Sequence, residues 1–327
     1  MRYVIIGAGA VGGTIGGRLF HAGHEVLLVA RGAHYEAMRD RGLTLRTPDE
    51  TLSLAVPVAD SASGGVRLRA GDVLVLATKT QDTAGALEAA LTWPVDGADV
   101  ADLPVVCAQN GVENERIALR RFARVYAMLV WLPATHMDPG EVAASGTPLS
   151  GILDLGRYPS GTDELAETIA ADLSGSGFAA VARTDTLRWK YGKLRMNLVN
   201  ALGAVCARGD GWNDLADRVR EEGVAALDAA GIAYTTSTEE KARRGDLVQS
   251  GRIAGADRSG SSSWQSLARA TGSIEADYLN GEIALLGRTY GVPTPVNDAL
   301  QRAARRSAAE RRPPASMTVA DITALLP

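Results

Sequence analysis

Three glycines spaced G-x-G-x-x-G, in Gly7-Ala8-Gly9-Ala10-Val11-Gly12, follow directly on the apolar run Tyr3-Val4-Ile5-Ile6 and precede a helical pattern. A strand, a glycine-rich turn and a helix in that order restrict the start of the chain to a βα unit of the dinucleotide-binding kind. Gly7 permits the tight turn out of the strand. Gly9 lets the backbone approach a pyrophosphate, and Gly12 lets the helix pack close to the sheet. The free N–H groups and positive dipole end of that helix then face the phosphates. A glycine-rich turn without a ligand is the other reading of the motif by itself; the strand before it and the helix after it favour the first.

The same rhythm continues downstream. Tyr3–Ile6, Glu25–Ala30, Val73–Ala77 and Val105–Cys107 read as strands, with helical segments starting near Val11, Ala33, Gln81 and Glu113. Continuous β-branched runs separated by helices predict a parallel sheet covered on both faces. Leu43–Arg46 and Leu52–Val56 read as a hairpin at the sheet edge. Val125–Leu132, Glu141–Ala144 and Gly151–Leu155 read as short strands, and Asp163–Leu173 as a helix. From about Thr184 strand signals vanish, and leucine and alanine recur at helical spacing to nearly Arg311. Ser237-Thr238-Glu239-Glu240 fits a capping box. Arg252–Ser263 reads as a mobile loop, and a last helix from about Val296 ends at Pro313-Pro314, leaving a short tail. A domain boundary is therefore expected near residue 184, with an α/β domain over 1–183 and an all-helical domain over 184–327.

At 327 residues and a net charge of −4, with both signs mixed, no nucleic-acid or membrane partner is suggested. No apolar run is long enough to span a bilayer. Cys107 and Cys206 sit in apolar stretches and read as buried free thiols in a reducing compartment. The chain opens on a core strand, so no cleaved signal peptide is expected, and the expected location is the cytoplasm.

In a doubly wound sheet the ligand lies at the carboxyl ends of the strands. After Glu25–Ala30 stands Arg31, where an NAD site usually carries an acidic residue; a guanidinium suits a 2′-phosphate, which favours NADPH. Lys79, at the start of a helix, is opposed by the helix dipole and reads either as a solvated lysine or as a partner of an anionic cofactor. Asn110-Gly111 follows Val105–Cys107, although Asn-Gly is also a common turn dipeptide. In the helical half, Trp189 to Leu202 reads as one helix on which Lys190, Lys193, Asn197 and Asn200 share an arc of about 80°. That polar stripe either faces solvent or lines a polar cavity, where a lysine can donate a proton to a developing alkoxide. Ser261 to Ser263 can cap a helix or bind a ligand, and Glu275 reads by spacing as an exposed helix charge or as a site residue. No metal is expected.

Taken together these segments resemble the ketopantoate reductase family, the NADPH-dependent 2-dehydropantoate 2-reductases of pantothenate biosynthesis, over nearly the whole chain. The resemblance implies an N-terminal Rossmann domain and a helical C-terminal domain like that of 6-phosphogluconate dehydrogenase, with the active site between them. Gly7, Ala8, Gly9, Ala10, Val11 and Gly12 match the nucleotide loop, Arg31 the arginine on the 2′-phosphate, and Lys79 the lysine after the third core strand. Asn110-Gly111 matches the Asn-Gly near the nicotinamide. Lys193-Leu194 with Asn197 resembles the element carrying the catalytic lysine, Ser262-Ser263 the substrate-contacting pair, and Glu275 to Gly281 the Glu-Ile-Asp-x-x-Asn-Gly segment. The family's second asparagine falls at Ala201, with Asn200 beside it, the aspartate after the serines at Leu267, and a substrate-contacting asparagine at Gly260. The resemblance implies reduction of a 2-oxo acid, ketopantoate or a related compound, by NADPH. Lys193 is the expected proton donor, and Glu275 the hydrogen-bonding group at the junction of cofactor and substrate. Asn110, Asn197, Asn200 and Ser263 are expected on the substrate. Lys190 is expected to be solvated near the helix start. An NADP-dependent dehydrogenase of another hydroxy acid and a non-catalytic NADPH-binding sensor are the alternative readings; the sensor needs no proton donor. A small 2-oxo acid is the expected partner, and a homodimer the candidate assembly.

Overall fold

Alternate residues of the first strand enter different cores. Tyr3 and Ile5 pack in one buried apolar cluster and Val4 and Ile6 in another, which requires a sheet covered on both faces. The computed structural model describes residues 1–62, 65–254 and 260–327. They form two compact units, Met1–Lys190 with Ser237–Arg258, and Tyr191–Thr236 with Ser259–Pro327.

In the first unit the strands are β1 (Arg2–Ile6), β2 (Glu25–Ala30), β3 (Leu43–Arg46), β4 (Thr51–Leu54), β5 (Val58–Asp60), β6 (Leu68–Arg69), β7 (Asp72–Leu76), β8 (Val95–Asp96), β9 (Val105–Cys107), β10 (Val125–Met128), β11 (Ala134–His136), β12 (Glu141–Ala144), β13 (Gly146–Pro148), β14 (Leu155–Arg157) and β15 (Val248–Ser250). The main sheet runs β14-β10-β9-β7-β1-β2-β5. All its neighbours are parallel except β14, which pairs antiparallel with β10. The strand order reverses between β1 and β7, the switch point at which a doubly wound fold binds dinucleotides.

The helices of this unit are α1 (Ala10–His21), α2 (Gly32–Arg41), α3 (Thr83–Leu91), α4 (Asn114–Leu119) and α5 (Glu164–Gly175), together with the start of α6 (Thr186–Asn197). Helix α1 carries two glycine pairs for a packing reason. A Cβ on Gly16 would meet Leu28 at 2.5 Å on the main sheet, and one on Gly17 would meet Leu43 at 3.1 Å on the β11-β12-β3-β4 sheet. The β3–β4 hairpin expected at the edge of the main sheet belongs to this second sheet, because β3 pairs in parallel with β12. Asp163 caps α5, accepting the Ala166 N–H at 3.0 Å.

The second unit holds the rest of α6, then α7 (Val199–Val205) and α8 (Trp212–Ala229). After α9 (Ser237–Arg244), which belongs to the first unit, come α10 (Ser262–Ala268), α11 (Asn280–Tyr290), α12 (Pro295–Ala309) and α13 (Val319–Thr323). Helices α7, α8, α11 and α12 pack together around Leu202, Val219, Ile283 and Leu300, all buried.

Several expectations differ from this architecture. A single change near residue 184 becomes a division within α6, and the chain returns to the first unit over 237–258. That return is held by β15 pairing antiparallel with β13 and by Arg243, whose Nε donates to the buried carboxylate of Asp154 at 2.8 Å. Strand β15 also ends the expectation of no strand after residue 184. The Ser237-Thr238-Glu239-Glu240 segment opens α9, with Ser237 as its first helical residue. The short tail past Pro314 carries a further helix: Met317 N–H donates to Val205 O at 2.9 Å, and Thr318 and Asp321 form a capping box on α13. The loop expected over 252–263 falls partly on residues 255–259, outside the described residues, and Ser262 and Ser263 are already helical.

Candidate active site

The loop from β1 to α1 is built by its glycines for two different reasons. Gly7 has φ +98°, and a Cβ there would lie 2.9 Å from Thr78. A Cβ on Gly12 would stand 2.1 Å from Gly7 O and 2.9 Å from the Ala77 Cβ, so only glycine brings α1 this close to the sheet. Gly9 differs from both. Its φ is −71°, and a Cβ there would meet nothing within 4 Å. Neither conformation nor internal packing asks for glycine at this position, whereas an approaching ligand does. Helix α1 begins with no side-chain cap and no acidic residue in its first turn, leaving its N–H groups to an anion. The cradle fits the pyrophosphate of a dinucleotide.

Around that cradle stand the ends of β2, β7 and β9. Arg31 is the N-cap of α2, its side chain 77% exposed and 3.7 Å from Asp82. Lys79 leads a short 3-10 turn, Thr80–Asp82, before α3 and is half-buried. Asn110 lies between β9 and α4, followed by Gly111 at φ +76°.

A buried polar network joins the last two loops. Gln109 Nε2 donates to Thr78 O at 2.9 Å and to Thr83 Oγ1 at 2.8 Å; Thr83 Oγ1 donates to Asn114 Oδ1 at 2.8 Å; Asn114 Nδ2 donates to Asn110 O at 3.0 Å. Lys190 belongs to this network. It is 4% exposed, donates to Gln109 O at 3.1 Å, and is ion-paired with Glu115, which is fully buried. The expectation of a solvated Lys190 is therefore wrong. Helical spacing set it on one stripe with Lys193 but carried no trace of Glu115, 75 residues away in sequence. Cys107 and Cys206 are both buried free thiols, and burial pushes the Cys107 thiol well above its usual range.

In the second unit the expected single helix over 189–202 is interrupted at Leu198, between α6 and α7. Asn280 Nδ2 donates to the Leu198 carbonyl at 2.9 Å, and a side chain entering the ladder is a recognised cause of such a break. Asn280 also donates to Asn297 Oδ1 at 2.9 Å, and Asn297 Nδ2 donates to Glu222 Oε2 at 2.8 Å. The Glu222 carboxylate in turn accepts the Val296 and Asn297 N–H groups, capping α12. Asn197 and Asn200 flank the break, with Asn200 Nδ2 3.4 Å from Asn197 Oδ1. Ser261 caps α10, accepting the Trp264 N–H, and its hydroxyl lies 3.4 Å from Asn200 O. Ser263, the second residue of α10, is buried, Lys193 is half-buried, and Glu275 is buried at the start of a 3-10 turn rather than exposed on a helix. Glu115, Asn114 and Glu222 have no counterpart among the sequence expectations, because their buried partners Lys190, Thr83 and Asn297 lie far along the chain.

Comparison with known proteins agrees with this architecture. The family described as ketopantoate reductase PanE/ApbA matches residues 3–160, and its C-terminal counterpart matches residues 185–308. A 2-dehydropantoate 2-reductase of Pyrococcus horikoshii is 28% identical over 305 residues, covering 91% of this chain and 94% of the relative. A crystal structure of a PanE/ApbA family ketopantoate reductase from Ralstonia eutropha JMP134 is 28% identical with TM-score 0.79, over 95% of this chain and 100% of that one. D-mandelate dehydrogenase, solved with NADH and anilino(oxo)acetate, shares the fold at 22% identity and TM-score 0.78, over 96% of this chain and 100% of its own. Family matches over both halves, on a glycine-rich cradle at the switch point of the sheet, identify the chain as a member of the ketopantoate reductase family, an oxidoreductase of CH–OH and C=O groups.

Proposed function

We propose that this protein reduces a 2-oxo acid, ketopantoate or a related compound, to the 2-hydroxy acid with NADPH. The observation that carries the cofactor half is Gly9, a glycine with an ordinary backbone and open space at its Cβ in the loop facing the strand ends. Arg31, mostly exposed and only loosely paired with Asp82, is free to turn its guanidinium to a 2′-phosphate. Lys79 adds positive charge beside the same strand ends, and Asn110 stands in a loop whose carbonyls are held on both sides.

A nicotinamide held by the glycine loop would supply the hydride for reduction at C2. Lys193 donates the proton to the C2 oxygen and regains one from solvent. Asn197 and Asn200, at the helix break, and Ser263 hydrogen-bond the substrate's carboxylate and hydroxyl, and Glu275 orients groups at the junction. Ala201 and Leu267, both buried and apolar where the family resemblance implies polar contacts, support a substrate range that includes 2-oxo acids with apolar side chains.

The test is NADPH oxidation by the purified protein with ketopantoate, 2-oxoisovalerate and phenylglyoxylate, run against NADH. Turnover of at least one keto acid with NADPH preferred is the expected result. Binding of NADPH without turnover of any keto acid would favour a sensor instead.

A further inference from the structure

We infer that Lys190 and Glu115 are positioning residues that lock the Gln109–Asn110 peptide for the nicotinamide end of the cofactor; this rests on the function proposed above. Both side chains are almost completely buried, at 3% and 0% exposure. A buried ion pair is poor value for stability, since apolar residues of similar volume often do as well or better. Here the arrangement is less favourable still. Glu115 Oε2 and Gln109 Oε1 are buried with no hydrogen-bond partner among the described residues, and an orphaned buried acceptor carries the full cost of its desolvation. Stability alone does not account for keeping such a cluster.

The local geometry shows what the pair holds. Lys190 Nζ directs one N–H to Glu115 and another to the carbonyl of Gln109, at 3.1 Å. The next carbonyl, that of Asn110, accepts from Asn114 at 3.0 Å, on the same short helix as Glu115. Two consecutive carbonyls are thus held by side chains, and the Asn110 peptide cannot rotate without breaking one of them. The Gln109 side chain carries the same restraint to Thr78 and Thr83, on either side of Lys79 and the 3-10 turn. The loops after β7 and β9 move together or not at all. Lys190 Nζ is engaged by one carboxylate and one carbonyl oxygen deep in the protein, a poor position for a proton donor. The contact with Glu115 holds the Lys190 ammonium over the Gln109 carbonyl.

The experiment compares wild type with the charge-free double variant Lys190→Met/Glu115→Gln. Affinity is measured by calorimetry for NADPH and for 2′,5′-ADP, which lacks the nicotinamide half; ADP-ribose replaces 2′,5′-ADP if the wild type prefers NADH. A merely structural pair would weaken both ligands alike or neither. Positioning predicts 2′,5′-ADP affinity unchanged, NADPH affinity down about tenfold, and kcat down about 10- to 100-fold with KM for the keto acid nearly constant. The stoichiometry of 2′,5′-ADP binding counts the folded molecules, so a partly unfolded preparation still reports the ratio. An unchanged NADPH to 2′,5′-ADP ratio overturns the inference. The binding arm needs no substrate. A wild type inactive on every keto acid would therefore sink the functional reading, while the positioning role would still be decided by the ligand pair.

Discussion

His34 Nε2 lies 2.8 Å from the carbonyl of Ala8, inside the glycine loop that cradles the cofactor. The Gly140 N–H donates to His34 Nδ1 at 2.9 Å, so Nδ1 is an acceptor and the proton resides on Nε2, which donates to Ala8. His136 approaches the same Nδ1 at 3.2 Å. A second proton on His34 would set an N–H against Gly140's.

Stability should accordingly depend on pH through His34. Burial holds its pKa below the ordinary 6.5, against a smaller opposing effect of the Ala8 hydrogen bond. In the window between that lowered value and about 6.5 the unfolded chain binds more protons than the folded one, so stability rises with pH. The contribution is complete above that window and is lost as the medium is acidified through it. Melting temperature measured from about pH 7.5 to about pH 5 should fall more steeply for wild type than for His34→Asn, which cannot titrate. Parallel curves would exclude His34 as the source.

Gly9 and Gly12 should separate binding from folding. Gly12→Ala forces a Cβ against Gly7 O and Ala77 and should destabilise the fold by about 1–3 kcal/mol or more while abolishing cofactor binding. Gly9→Ala meets no protein atom within 4 Å and should leave the melting temperature unchanged, yet weaken the dinucleotide. A Gly9→Ala protein that binds cofactor like wild type would remove the argument for the cradle.

Cofactor choice should follow Arg31. Among the described residues its exposed guanidinium has a distant carboxylate partner, Asp82 at 3.7 Å. Arg31→Ala should weaken NADPH about 10- to 100-fold, the loss of a charge-assisted contact, and leave NADH nearly unchanged. Fluorescence titration with both cofactors measures this; equal losses for the two would contradict it.

The two lysines of α6 should fail in different ways. Lys193→Ala should lower kcat by about 10²- to 10⁴-fold with folding and cofactor affinity retained. Lys190→Met leaves Glu115 ionisable and alone in the interior, a loss of about 3–5 kcal/mol in stability. Chemical denaturation and single-turnover kinetics on both variants would show the two signatures. A stable Lys190→Met protein with no turnover, beside a fully active Lys193→Ala, would exchange the roles.

By itself the amino-acid sequence determined what depends on neighbours along the chain. The G-x-G-x-x-G turn, the alternation of apolar strands and helices, the Asp163 cap and the helical phase of Lys193, Asn197 and Asn200 are short-range patterns, and the parallel sheet follows from them. Only the tertiary structure decided which charges are buried and what they hold. Glu115 meets Lys190 across 75 positions, Asn280 interrupts a helix at Leu198 from 82 positions away, and Arg243 returns a segment to Asp154 across 89. A polar side chain is sorted between solvent and interior by whether a partner exists in three dimensions, because burial without one is too costly. No local pattern encodes that partner, which is why two lysines on one helical stripe look alike in sequence and differ in the fold.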